Sequence, residues 1–230
     1  MPRTASEPRP HGVLFDAGGT LVRVNRERLE AALRSRGHEA ADLEGAFWRT
    51  AVLLDSEFAP GVAFESWWLD WQSRLAEHAE VPVAVMHEAY AECDAEWFLW
   101  EEPIEGAAAC LTRLREEGVR VGVVSNADGR IAHALERAGL ADLLEVIVDS
   151  GVVGVEKPDP AIFAHALEPL GLAASQTWYL GDTVHYDAAA AEAAGMTSWI
   201  IDHGGLHTIP HPRRVTSLAE FADVVLARAV

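Results

Sequence analysis

Short unbroken apolar runs alternate along this chain with stretches where apolar residues recur every three or four positions. The runs around 13–15, 119–125, 145–149, 177–181 and 197–201 are too short for helices and apolar almost throughout. They predict strands covered on both faces. Between them 104–117, 130–143, 159–170, the alanine-rich 186–194 and the closing 217–228 carry helical spacing. That alternation predicts an α/β fold, a doubly wound and mainly parallel sheet with helices on both sides.

Residues 26–100 break this rhythm. Leu43, Phe47, Ala51, Leu54 and Phe58, and then Phe64, Trp67, Trp68, Trp71 and Leu75, follow helical spacing with no strand pattern. Met86, Tyr90, Cys93, Trp97 and Trp100 step by four and three, which predicts one face of a long helix. Pro60-Gly61 and Pro82 mark helix boundaries. Sheet elements stand on both sides of this segment, so it reads as a small helical bundle inserted at 22–101 into a core made of 11–21 and 102–230. Large aromatics at helical spacing predict a core for the bundle. Trp67 and Trp68 are adjacent and cannot both face inward, so one is expected to point toward a cleft.

With 230 residues, half of them hydrophobic, the chain can bury a sizeable core. Its formal net charge of -18 argues against nucleic acid or an anionic membrane as the main partner. The proline-rich, polar opening has no apolar stretch of signal-peptide type, and no run approaches the ~18 residues of a membrane span. Cys93 and Cys110 fall within helical patterns, as small buried hydrophobes of a reducing compartment do. A cytoplasmic protein, monomer or homodimer, is expected.

Polar residues at the strand ends add the chemistry. Val13-Leu-Phe ends in Asp16, where open α/β sheets place their ligands, and Gly18, Gly19 and Thr20 form a loop whose backbone can approach an anion. The run 119–125 ends in Ser125, followed by Asn126, and 177–181 is followed by Asp182 and Asp187. Arginine serves as the cation everywhere except at Lys157, the only lysine, in Gly154-Val-Glu-Lys-Pro-Asp-Pro160. Lysine is a compact point charge suited to a phosphoryl oxygen or a carboxylate.

Carboxylate, hydroxyl, lysine and paired carboxylates in this order resemble the four motifs of the haloacid dehalogenase (HAD) superfamily of aspartyl-nucleophile hydrolases, over roughly residues 12–202. The resemblance implies a Rossmann-like core, with 22–101 as a mobile cap over the active site. Asp16 would be the nucleophile, forming a covalent intermediate that splits one hard displacement into two. Mg²⁺ would be held by the Asp16 carboxylate, the Gly18 carbonyl and Asp182, with Asp187 direct or through water. Gly19, Thr20, Ser125 and the Asn126 amide would hold phosphoryl oxygens, and Lys157 would neutralise both nucleophile and transferred group. Arg23 or Arg26 is a candidate for reaching a substrate anion.

The chain departs from the phosphatases of this family at Gly18. They carry a second aspartate there, acting as general acid and base, a role typically worth roughly 10²–10⁴-fold. Alkyl phosphate esters are therefore expected to be poor substrates unless another group supplies the proton, and His185 is the candidate. Dehalogenases proper also lack that aspartate, but Asp182 and Asp187 are present here and Phe163 stands where a tyrosine is expected from those enzymes. Phosphonate-cleaving members use a cap lysine, which is missing. His203, His207 and His211 are spaced by four, yet Gly204, Gly205 and Pro210 predict a loop, not a helical metal site. The expected function is a Mg²⁺-dependent phosphatase-like hydrolase of a phosphorylated small molecule. The alternatives are a binding protein with little turnover and a 2-haloacid dehalogenase-like enzyme.

Overall fold

The computed structural model describes residues 9–57 and 64–227. Six parallel strands form the main sheet: β1 (Gly12–Phe15), β4 (Arg120–Ser125), β5 (Val146–Asp149), β6 (Thr177–Gly181), β7 (Thr197–Ile201) and β8 (Arg214–Val215). Their spatial order is β5-β4-β1-β6-β7-β8, so β1 is central and every crossover leaves a carboxyl end on the same edge. Phe15 is level with Val123 and with Leu180. Asp16, Ser125 and Asp182 therefore emerge together.

Alternation along the strands divides the core. Val13, Phe15, Val123 and Leu180 pack with Leu111, Leu114 and Phe221, from α5 (Ala107–Glu116) and α10 (Leu218–Leu226). Leu14, Val124 and Tyr179 face the other side, against Phe163, Ala166 and Ala190, from the segment leading into α8 (Ala164–Leu170), from α8 and from α9 (Ala189–Ala193). Both faces are covered, which is why the strands read as unbroken apolar runs.

The inserted segment holds α1 (Arg26–Ser35), α2 (Leu43–Ser56), α3 (Phe64–His78) and α4 (Val83–Glu96) around a separate apolar cluster that includes Leu29, Phe47, Trp71, Leu75, Met86 and Tyr90. Phe58, Pro60-Gly61 and the side chains of Leu54, Phe64 and Trp67 lie outside the described residues. The chain enters and leaves the insertion through a two-strand antiparallel pair, β2 (Val22–Arg23) and β3 (Glu102–Pro103). Two-residue strands leave no periodicity to read.

Several helices differ from expectation. The segment 130–143 divides into α6 (Ile131–Arg137) and a 3₁₀ turn at Ala141–Leu143, because Gly139 at φ 71 ends the helix. The segment 186–194 begins as a π-turn, Val184–Ala188, before α9. α7 (Ser150–Val153) is a single added turn. The long helical face predicted through Trp100 stops at Glu96, where Trp97 is extended (φ -163, ψ 147). Arg28 caps that end: its Nη2 donates to the carbonyl of Cys93 at 2.6 Å, which also accepts the Trp97 amide at 3.1 Å, and to the carbonyl of Trp97 at 3.1 Å. Trp100 lies beyond the helix. Among the described residues no helix is long and apolar enough to cross a membrane. Cys93 and Cys110 are free thiols and buried, and burial pushes Cys110 up to about 12.

Candidate active site

Lys157 is the hub of the strand-end cluster. Its buried Nζ donates to Asp16 Oδ1 at 2.6 Å, to Asp187 Oδ1 at 2.6 Å and to the Tyr179 hydroxyl at 2.9 Å. The hydroxyl is in turn within donating distance of the Val124 carbonyl, at 2.9 Å. Asn126 fixes the lysine from behind: Nδ2 donates to the Lys157 carbonyl at 2.8 Å, and Oδ1 accepts the Lys157 amide at 2.8 Å. The main chain of Lys157 is thus gripped at two points, while three acceptors share its ammonium.

Burial would lower Lys157, but the charges of Asp16 and Asp187 more than offset it and hold the ammonium above its ordinary range. Asp187 is also buried; Lys157 and two Thr183 bonds keep it below the usual carboxylate value. Burial pushes Asp16 up to about 6, with Lys157 opposing and Asp187 adding to the shift. Asp182 lies well above its ordinary value, first through burial and then through the charges of Asp187 and Asp16. Three carboxylates thus gather around one ammonium. No hydrogen-bond donor reaches the Asp182 carboxylate among the described residues.

The cluster opens into a cavity of about 410 Å³, where Asp16, Gly18, Ser125, Lys157 and Asp182 form the floor and Phe47, Trp68, Trp71, Phe98 and Trp100 much of the wall. Ser125 reaches the cavity as expected. Its hydroxyl makes no bond to described residues, so it is available to an incoming oxygen.

Other expected contacts are not made. Thr20 is fully buried, does not line the cavity and leaves its hydroxyl without a partner, because its side chain turns into the core. Gly19 donates its amide to the Val22 carbonyl at 2.8 Å, which removes that group from anion binding. The φ of 75 at Gly19 lets the backbone pass Asp182: a Cβ there would lie 2.2 Å from Asp182 Oδ2. Arg23 joins Glu102 and Glu44, each at 2.7 Å, and Arg26 also pairs with Glu44, at 2.6 Å. These guanidiniums fasten the crossing point of the insertion instead of reaching the cavity. His185 does not line the cavity; its ring Nδ1 lies 2.7 Å from the carbonyl of Asp55.

Asp55 was invisible to the sequence reading. Its carboxylate, fully enclosed, accepts the amides of Val184 at 2.7 Å and His185 at 2.9 Å, so α2 is fastened to the turn between Asp182 and Asp187. Tyr179, the Asn126 side chain and Thr183 were missed as well. Tyr179 offered one faint signal, a phenol inside an apolar strand. His203, His207 and His211 lie in a loop, and among the described residues no group of three His, Cys, Asp or Glu side chains is placed to hold an ion.

Trp100 explains Gly18. A Cβ built at position 18 would stand 3.0 Å from both Cε3 and Cζ3 of the Trp100 indole. Gly18 has no positive φ, so steric exclusion by the indole, not backbone strain, opposes a side chain here.

For a divalent cation the available donors are the Asp16 carboxylate, the Gly18 carbonyl and Asp182, hard oxygens of the kind Mg²⁺ selects. The unpartnered, charge-crowded Asp182 fits that role. Asp187 fits it poorly, since Lys157, Thr183 and Tyr179 engage both of its oxygens.

A family model described as haloacid dehalogenase-like hydrolase matches residues 10–195. The haloacid dehalogenase-like hydrolase domain-containing protein 3 of Bos taurus is 31% identical over 202 residues, covering 81% of this chain and 80% of its own. A phosphoglycolate phosphatase of Rhodospirillum rubrum is 37% identical over 206 residues, covering 85% and 80%. Among solved structures, the HAD-hydrolase YfnB from Bacillus subtilis, bound to magnesium, superposes with a TM-score of 0.71 at 20% identity over 96% of this chain and all of its own. With Asp16, Ser125, Lys157 and Asp182 gathered at one edge of a parallel sheet and a family model spanning most of the chain, this protein belongs to the haloacid dehalogenase-like hydrolases.

Proposed function

We propose that the protein is a Mg²⁺-dependent phosphatase-like hydrolase acting on a phosphorylated small molecule in the cytoplasm through an aspartyl-phosphate intermediate. The carrying observation is the surplus of carboxylate at the floor. Lys157 satisfies Asp16 and Asp187, and Asp182 is left with no donor, an arrangement that calls for a cation. Bound Mg²⁺ would be held by Asp16, Asp182 and the Gly18 carbonyl and would screen the charge of a phosphoryl group. Asp16 presents its carboxylate to phosphorus, Lys157 faces the same oxygens, and Ser125 with the Asn126 amide receives the transferred group. Asp187, Tyr179 and the Asn126 side chain act on Lys157 and so are positioning residues.

The similarity to a phosphoglycolate phosphatase of Rhodospirillum rubrum supports this reading. Asp182 weighs against a dehalogenase, as does Phe163, which is buried edge-on against Tyr179 with ring centroids 4.9 Å apart. A second reading, binding with little turnover, draws on Gly18, which carries no carboxylate where the phosphatases of this family have their acid, and on Trp100, which stands against it.

Purified protein assayed on acetyl phosphate, phosphate monoesters and 2-haloacids, with and without Mg²⁺, tests the proposal. Phosphate release that requires Mg²⁺ and disappears in Asp16→Asn is expected. Halide release without metal, or tight phosphate binding with no turnover of any ester, would overturn it.

A further inference from the structure

We infer that Gly18 and Trp100 restrict this enzyme, among phosphate monoesters, to those whose leaving group is a flat aryl oxide bearing no second charged group, an inference that rests on the phosphatase reading above. Trp100 is firmly placed. Its Nε1 donates to the buried Tyr90 hydroxyl at 2.7 Å, and its ring lies 5.2 Å from Trp71, 5.3 Å from Phe47 and 5.7 Å from Trp68. An acid at position 18 would press its Cβ, at 3.0 Å, on an indole packed on three sides.

Among the described wall carboxylates none replaces that acid. Asp94 and Asp128 are engaged by Arg130 at 2.8 and 2.6 Å, and Glu156 is exposed. No wall carboxyl therefore stands ready to hand a leaving group its proton. Phenols ionise near pH ~10, whereas water and aliphatic alcohols hold their protons to roughly 16, so the aryl oxide leaves readily and the alkoxide does not. In the first step a bond forms between an Asp16 oxygen and phosphorus while the P–O bond to the aryl oxygen breaks. The bond pair leaves on that oxygen, which then takes a proton from water. In the second step water cleaves the aspartyl phosphate, restoring the carboxylate and releasing inorganic phosphate and a proton.

The wall also selects for the leaving group's shape and charge. Trp68 and Trp71 stack with an interplanar angle of 4° and, with Trp100 and Phe47, line the same cavity as Asp16. The wall's cation, Arg130, is held by two carboxylates and lies 4.5 Å over the Phe98 ring. Among the described lining residues no cation is left for a second anion on the substrate, such as a carboxylate.

The test is kcat/KM with Mg²⁺ for acetyl phosphate, a series of phenyl phosphates, 1-naphthyl phosphate, glycerol phosphate and phosphoglycolate. Aryl substrates should exceed the two alkyl esters by about 10²-fold or more. Trp100→Ala and, as an independent second variant, Trp68→Ala should each lower the ratio of naphthyl to acetyl phosphate by about five-fold. Gly18→Asp combined with Trp100→Ala should raise alkyl ester hydrolysis by roughly ten-fold or more. Glycerol phosphate or phosphoglycolate turned over within about ten-fold of naphthyl phosphate would overturn the inference, while acetyl phosphate hydrolysis kept the phosphatase reading. No release from any of these, acetyl phosphate included, would overturn both.

Discussion

Lys157→Met removes the ammonium that Asp16 and Asp187 share while roughly keeping its volume. At the observed 2.6 Å, and with an effective dielectric of about 20, each contact is an attraction of roughly 6 kcal/mol before the desolvation of three charges is subtracted. Deleting one partner of such a buried group typically costs about 3–5 kcal/mol, since the carboxylates stay buried and unpaired. In a chain of this size that is a fall in Tm of roughly 6–20 °C. The loss should depend on pH in a definite direction. In the wild type, Asp187 is held low by Lys157, so its contribution is present above the unfolded carboxylate value and disappears only as pH falls through its depressed folded value. Without the ammonium both carboxylates rise. The folded variant then binds protons that the wild type does not, and its deficit shrinks on acidification. Urea unfolding of both proteins at about pH 7.5 and about pH 5 measures this, and the deficit should fall by about 1 kcal/mol or more. A deficit equal at both values, or below about 1 kcal/mol at neutral pH, would show that Lys157 does not carry the charge balance of the floor. Lys157→Arg should restore part of the stability and little of the activity, because a planar fork cannot serve two carboxylates and a phosphoryl oxygen from one point.

Asn126→Ala should lower kcat by about ten-fold or more with a smaller change in KM, and cost roughly 1–3 kcal/mol, by freeing the main chain of Lys157; unchanged kcat in a folded variant would refute the clamp. Asp55→Ala should cost about 1.5–3 kcal/mol and expose α2 to limited proteolysis, since two amides of the 184–185 turn lose their charged acceptor; a cleavage pattern identical to the wild type would count against that fastening. His203, held down to about 4 chiefly by burial, contributes stability that is complete above the ordinary histidine value of about 6.5 and drains away as pH falls toward 4. His203→Gln should flatten the acid limb of a stability profile by no more than about 3 kcal/mol, and an unaltered limb would refute the assignment.

The strand ends were legible because each is a local statement: an apolar run, then a polar residue, as in Phe15-Asp16 or Val124-Ser125. The helical insertion was legible for the same reason, through repeated three-and-four spacing. What escaped reading depends on chain distance. Asn126 meets Lys157 across 31 positions and Asp55 meets His185 across 130, and nothing local distinguishes those side chains from surface polar residues. Thr20 misled in the opposite way: a hydroxyl after two glycines suggests an anion loop, but its side chain is folded into the core. Trp100 misled through periodicity, since its spacing from Trp97 continues a helix that ends at Glu96, where Trp97 turns extended.

The two halves of the molecule contribute different things, and position 18 is where they meet. Groups that handle the phosphoryl centre stand on the core: Asp16 after β1, Ser125 at the end of β4, Lys157 in the loop before α8 and Asp182 after β6. The aromatic wall, Phe98 included, comes mainly from the insertion and its return strand. The loop after β1 passes directly beneath Trp100, so a side chain at 18 and the indole compete for one volume. A carboxylate there would add proton transfer; the indole adds a flat apolar surface at the same spot. Gly18 is consequently not a simple loss from an otherwise complete site. Restoring the acid alone sets its Cβ 3.0 Å from a ring that Tyr90, Phe47 and Trp71 hold in place, so the gain it brings should be larger when Trp100 is truncated as well.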